Sequence, residues 1–280
     1  MRRRAQPWLG TLVDITINDA DENRRLDLVM ADAFAAIAAV HKLMSFHDPM
    51  SDISRINRAA VGESIHVAHE TIAVVSTALL LNTASNGIFN IGIASRLIKW
   101  GLLPGSVDDL PAYLAIDTGL IVEEGITMRK VRAVTIDVGG IAKGFAIDRA
   151  IEVLQHAGIQ SACINAGGDL RIIGALPFTI SIRDPGTITG VARQLTITDA
   201  AMATSAGYFS CRQLGNQRVN ALIDGRTGDA VTDNVSVSVI APSCMIADAL
   251  TKIIIASGDT QHPLLEQFNA EALLIEESVC

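Results

Sequence analysis

Val134-Thr-Ile-Asp-Val-Gly-Gly-Ile-Ala-Lys-Gly-Phe-Ala-Ile-Asp148, with its echo Cys163-Ile-Asn-Ala-Gly-Gly-Asp169, decides how this chain is read. Val134, Ile136 and Val138 alternate as in a half-buried strand. The segment runs into Gly139-Gly140, and a helical pattern begins near Lys143. Phe145, Ile147, Ile151, Val153 and Leu154 form its apolar positions, and Gly158 lies just past its end. A second short strand, Ala162 to Ile164, stops at Asn165-Ala-Gly167-Gly168-Asp169. Two paired-glycine turns beside carboxylates, joined by one helix, make a unit of βαβ size. Glycines let backbone N–H groups approach an anion, and a helix N-terminus favours negative charge, so a phosphate-bearing ligand is expected. The plainer alternative is that both pairs are only tight turns. Neither standard phosphate loop is present: Phe145 stands where a P-loop lysine belongs, and the dinucleotide G-x-G-x-x-G pattern is missing.

A chain of 280 residues can bury a substantial core. The net charge of −8 argues against a nucleic-acid partner, which needs a basic surface. Arg2-Arg3-Arg4 resembles a signal-peptide start, but Ala5-Gln-Pro-Trp-Leu-Gly10 is not an apolar core. No uninterrupted apolar run of about 18 residues exists, so no membrane span is expected. The chain as given reads as cytoplasmic, or as periplasmic if a leader is missing. Cys163, Cys211, Cys244 and Cys280 are far apart with no C-x-x-C, which suggests reduced thiols.

Leu12 to Ile17 reads as an edge-like strand. A long helix, offered caps by Asp21-Glu-Asn23, follows through about Met44, with Leu26, Met30, Phe34 and Ile37 on its buried face. A polar turn around His47 precedes a short helical turn. A second helix spans roughly Glu70 to Ser85, and residues 104–112 read as loop. Strands are expected at Gly119–Val122 and Ile126–Arg129. After Asp169 the chain turns to β at Arg171–Ile173, Phe178–Arg183 and Ala192–Ile197, with Asp184-Pro-Gly186 as a turn. Met202 to Arg212 is a polar, site-like segment. Strand patterns at Val219 and Val235–Ile240, a helix from Cys244 to about Ser257 and a strand at Leu273–Ile275 complete the chain.

These residues together resemble the ApbE family of FAD:protein FMN transferases. The ordered series is Leu9-Gly-Thr11, Asp137-Val-Gly-Gly-Ile-Ala-Lys-Gly144, Asn165-Ala-Gly-Gly-Asp169, Ala203-Thr-Ser205, Ile223-Asp-Gly-Arg-Thr-Gly228, Ser236 to Pro242, and the helix with Ala247-Asp-Ala-Leu250. The resemblance covers nearly the whole chain and implies one α+β domain over 1–280, built as two intimately packed lobes with mixed or antiparallel sheets and flanking helices. It implies magnesium-assisted attack on the FAD pyrophosphate. A threonine or serine hydroxyl of a partner flavoprotein takes FMN and AMP leaves, or water takes FMN in a hydrolysis.

By resemblance, Asp248 and Lys143 carry the chemistry, and Gly140, Asp248 and Thr251 hold the metal. Leu9, Gly10, Thr11, His47, Phe89, Asn90, Asp137, Lys143, Gly167, Gly168, Asp169 and Ile223 face the flavin nucleotide. Several positions depart from the family pattern. The threonine usual four residues after the helix aspartate is Lys252, while Thr251 is one residue early, about 100° round the helix. Lys252 could pair with Asp248 and stand in for the metal's charge. Asn220 and Ala221 replace the usual histidine, Gly225 replaces a proline, His47 aligns with a flavin-stacking aromatic, Asn90 stands for an aspartate, and Ala206-Gly207 replaces Gly-Asp. Three functions therefore compete: an active transferase or FAD pyrophosphatase, a catalytically impaired flavin-binding or interaction protein, and a nicotinamide oxidoreductase, which has only the strand–glycine–helix form behind it.

Overall fold

The computed structural model describes residues 1–20, 22–184, 190–207, 211–232 and 235–276. In chain order the elements are β1 (Arg2–Trp8), β2 (Thr11–Ile17), α1 (Asn23–Met44), α2 (Asp52–Arg58), β3 (Ser64–His66), α3 (His69–Ala84), α4 (Ala94–Lys99), β4 (Leu120–Val122), β5 (Thr127–Lys130) and α5 (Ala142–His156). They continue as β6 (Ala162–Ala166), β7 (Asp169–Ile173), β8 (Phe178–Arg183), β9 (Val191–Ile197), β10 (Ala201–Ala206), β11 (Arg212–Leu214), β12 (Gln217–Val219), β13 (Ile223–Asp224) and β14 (Asp229–Ala230). The last four are β15 (Val235–Ala241), α6 (Cys244–Ser257), α7 (Pro263–Gln267) and β16 (Glu271–Glu276). Asp21, Pro185, Gly186 and 208–210 lie outside the described residues, and with them part of the expected cap, turn and polar segment.

Among the described residues, seven strands join in the order β1-β2-β6-β7-β10-β15-β16, every pair antiparallel. This is an α+β architecture. Strand alternation sorts the side chains onto two faces. Val13, Ile15 and Ile17 of β2, Ile164 of β6, and Val237 and Val239 of β15 join the main core with the buried residues of α1, α5 and α6. The other face carries Cys163, Leu170, Ile172 and Met202, covered by Ile182 and Ile197 of the β8–β9 hairpin.

Three expectations need correction. β2 is not an edge: β1 pairs along its whole length and takes the edge, its arginines held by Arg2–Asp27 and Arg3–Asp14 ion pairs. Val134 to Val138 is not a ladder strand. Its alternation is real, with Val134, Ile136 and Val138 buried, but its backbone partners are irregular. Asn57 brackets Ile136, its Nδ2 donating to the carbonyl at 3.0 Å and its Oδ1 accepting from the N–H at 2.7 Å. Asp137 N–H reaches the Ile91 carbonyl at 2.9 Å. Likewise β6 and β7 form a hairpin, in which Ala166 faces Asp169 across Gly167-Gly168 at φ 66° and 106°. Such a two-residue turn requires positive φ, which explains the glycine pair.

The thiols behave as their burial dictates. Burial and the nearby Asp14 push Cys163 up to about 12, and burial pushes Cys244 well above its ordinary value. Iodoacetamide near pH 8 is therefore expected to label half-buried Cys211 at least about tenfold faster than Cys163 or Cys244, as read by peptide mass spectrometry.

Candidate functional site

The first turn of α5 lies against the first turn of α6, because Gly144 has no side chain to hold them apart. Ser243 caps α6, and Asp148 of α5 reaches across to it, accepting from Ser243 Oγ at 2.8 Å and from the N–H groups of Cys244 and Met245 at 2.9 Å. This docking brings four charges together. Asp248 of α6 accepts from Gly144 N–H at 3.2 Å and pairs with Lys252, one helical turn on. Lys143 pairs with Asp169, which alternation on β7 turns toward the helices; Thr204 N–H donates to the same carboxylate at 3.3 Å. The carboxylates are sealed, Asp248 at 0% and Asp169 at 1% side-chain exposure, while Lys252 at 20% and Lys143 at 27% reach the surface.

The cluster is electrically balanced and interlocked. Burial opposes the Asp248 charge, but the ammoniums of Lys252 and Lys143 and the Gly144 N–H hold its carboxyl below the ordinary range. Burial and the neighbouring Asp248 raise Asp169, with Lys143 and Lys252 pulling the other way. Burial alone would lower Lys143; Asp248 and Asp169 outweigh it and hold Lys143 above the usual lysine range. Lys143 thus stays ammonium at neutral pH.

Above this floor the Asp137–Gly140 backbone forms a ridge between two cavities. One, of 250 Å³, is lined by Leu9, Gly10, Phe46, exposed His47, Asp137 and Lys143. The other, of 210 Å³, is lined by Phe89, Asn90, Gly140, Leu222, Ile223 and Lys252. Asp137 and Gly139 border both. Burial raises the half-buried Asp137 carboxyl, and the Gly139 N–H at 3.0 Å and nearby His47 pull it back part of the way. A third cavity of 320 Å³ opens at Gly167, Gly168 and Thr204. Thr11 packs beneath Gly167, where a Cβ would meet its Oγ1 at 2.6 Å. A larger cavity of 740 Å³, beside Asn82 and Thr118, holds none of the four cluster residues and is separate from this site.

The structure thus gathers nearly every residue singled out from the sequence. Thr251 does not join them. It is fully buried, its Oγ1 donates to the Asp248 carbonyl at 2.7 Å, and it shares a 2.8 Å hydrogen bond with Ser205 Oγ. Thr251→Val is expected to cost about 1–2 kcal/mol in denaturant unfolding. Asn90 and Asn220 are also committed to the fold. Asn90 accepts from Gly92 N–H at 2.7 Å; Asn220 donates to the Val231 carbonyl at 2.7 Å and accepts from Leu222 N–H at 2.9 Å. The sequence reading missed Asp148 as the anchor of α6 and Thr204 as a support of Asp169.

Asp248 and Thr251, engaged as they are, do not fit a magnesium ion. Mg²⁺ needs near-octahedral oxygen ligation. Here one Asp248 oxygen is bound to Lys252 and the other to Gly144 N–H.

Among the described residues, a seven-strand antiparallel sheet backed by α5 and α6, with glycine turns over a buried lysine–aspartate cluster, defines an α+β protein. Residues 9–274 match the ApbE family, and the chain belongs to it. The FAD:protein FMN transferase of Vibrio cholerae is 29% identical, with 96% of this chain and 85% of that protein covered. The one from Treponema pallidum is 26% identical, with 97% and 83% covered. The solved flavin transferase ApbE of Vibrio cholerae superposes with TM-score 0.81 at 27% identity, covering 98% of this chain and 92% of that one. The Thermotoga maritima ApbE protein shares the fold, with TM-score 0.84 at 23% identity over 99% and 97% of the two chains. No helix among the described residues is long and apolar enough to cross a membrane.

Proposed function

We propose that this chain is an FAD:protein FMN transferase working as one unit over residues 1–280. The observation that carries the reading is the placement of Lys143 and Lys252, one lining each of two cavities that meet at the Gly139–Gly140 ridge. FAD is two nucleotides joined by a pyrophosphate, so its halves suit the cavities and its charge suits the ridge between two ammoniums. In the transfer, a threonine or serine Oγ of the acceptor protein forms a bond to the FMN phosphorus. The bond from that phosphorus to the bridging oxygen breaks, and AMP leaves with the electron pair. The hydroxyl proton is balanced by the new AMP phosphate oxygen, which takes it up or passes it to water. Phosphoryl transfer of this kind is served by positioning and by cations near the charge, more than by covalent chemistry.

This departs from the magnesium-assisted scheme of the resemblance, since the donors are committed elsewhere. A second reading, flavin binding without turnover, is favoured by the Lys252–Asp248 pairing and by Asn220, which stands in place of the family's usual histidine, being locked into the fold. One experiment separates the two. The protein is mixed with FAD and a threonine-bearing acceptor domain, and AMP is followed by chromatography alongside in-gel flavin fluorescence. Equimolar AMP and covalent flavin are expected. FAD bound without AMP would leave the second reading, and AMP without covalent flavin would mean hydrolysis.

A further inference from the structure

We infer that the Lys252 ammonium is the built-in cation of this site, doing for the pyrophosphate what a bound divalent ion would otherwise do. The inference rests on the flavin reading above and assigns Lys252 within it. An i,i+4 lysine–aspartate pair on a helix is ordinarily a solvated surface feature worth little. This one is different, because Asp248 is fully buried and Lys252 is mostly so. Buried ion pairs are poor stability devices, since apolar residues of the same volume do as well or better. Two of them side by side, under cavities, mark a place where charge is wanted.

The geometry says what Lys252 faces. Its stem runs past Gly140, where a Cβ would lie 3.6 Å from Lys252 Cε and 3.6 Å from Phe89 Cε2, so the chain is guided between ridge and ring. An ammonium has three donors. One goes to Asp248 Oδ1, and the side chain lines the cavity that holds Phe89 and Ile223. Lys143, in the adjoining cavity, is likewise held by Asp169. Each carboxylate holds its lysine in place, and each lysine is available to one phosphate. A divalent ion at Asp248 would have to displace Lys252 and overcome its positive charge.

The test is FAD titration by flavin fluorescence in excess chelator and again in millimolar Mg²⁺, for the unaltered protein, Lys252→Met, and Asp248→Asn/Lys252→Met. The double variant leaves no buried unpaired carboxylate, so loss of fold in the single variant cannot hide the answer; thermal melting checks both. Expected results are an FAD affinity that differs by less than about twofold between chelator and Mg²⁺, and a loss of at least about tenfold in either folded variant. An affinity raised tenfold or more by Mg²⁺ in the unaltered protein would overturn the assignment and leave the flavin reading intact, as would folded variants that bind FAD unchanged. Absence of FAD binding in every condition would remove the flavin reading and this inference together.

Discussion

Lys143→Met is expected to weaken FAD binding by at least about tenfold and to destabilise the fold by about 3–5 kcal/mol at neutral pH. The affinity falls because Lys143 is the cation of the cavity bounded by Leu9, His47 and Asp137. The stability falls because its partner, Asp169, is sealed at 1% exposure and would be left with one N–H donor, from Thr204. The pH dependence carries a clear sign. In the unaltered protein Lys143 is raised, so its stabilisation is complete below the ordinary lysine range, near pH 10.4, and is lost as pH climbs through the higher folded value. In Lys143→Met that alkaline loss disappears. Asp169, already raised by burial and Asp248, then loses its main counter-charge and rises further. The folded state keeps a proton that the unfolded chain has released, so the variant gains stability as pH falls from neutral toward about 4. Urea unfolding at intervals between about pH 5 and pH 8 reads this directly. Adding Asp169→Asn should restore stability at neutral pH without restoring FAD binding. A flat pH profile for the single variant would show that Asp169 has found another partner, and Lys252 is the one at hand.

What the sequence made legible follows from how far each signal reaches along the chain. Helix faces were readable because 3.6-residue periodicity is local: α1 ends at Met44 and α6 runs from Cys244 to Ser257, as the apolar spacing indicates. The Asp248–Lys252 pair was readable for the same reason. Gly167-Gly168 was visible as a tight turn, although its partner strands are antiparallel neighbours rather than parts of a βαβ crossover. The Val134–Val138 segment shows the limit of alternation, which reports burial and not the hydrogen-bond partner; here a side-chain amide, Asn57, does the pairing. β1 was hidden by Arg2-Arg3-Arg4, whose charges suggest a loose terminus until Asp27 and Asp14 are placed beside them. Asp148 and Thr204 carry no local signature at all. Their roles exist only because α5 meets α6 and β7 meets β10, contacts between segments far apart in sequence.

Gly144→Ala is expected to be among the most damaging single-methyl changes in the protein, costing about 3 kcal/mol or more, toward the upper end for overpacking. An added Cβ would stand 2.2 Å from the Cys244 carbonyl oxygen, 2.5 Å from its carbon and 2.7 Å from Met245 Cα. All three are backbone atoms at the start of α6, so no side-chain rotation relieves the clash. The helices must part, yet Asp148 ties that same turn of α6 to α5 through three hydrogen bonds. Separation also stretches the 3.2 Å Gly144 N–H bond to Asp248 and shifts the Asp248–Lys252 pair out from under the ridge. Gly168→Ala is the informative comparison. Gly168 has φ 106° but open space around it, so only backbone strain opposes the change, about 1–3 kcal/mol, and the charge cluster stays in place. Melting curves should show a drop of about 6–12 °C or more for Gly144→Ala. FAD titration well below the melt should show at least about a tenfold loss for Gly144→Ala and a smaller one for Gly168→Ala. If Gly144→Ala melted within about 2 °C of the unaltered protein, α6 would be free to slide, and the cluster beneath the ridge would owe its geometry to something other than this helix contact.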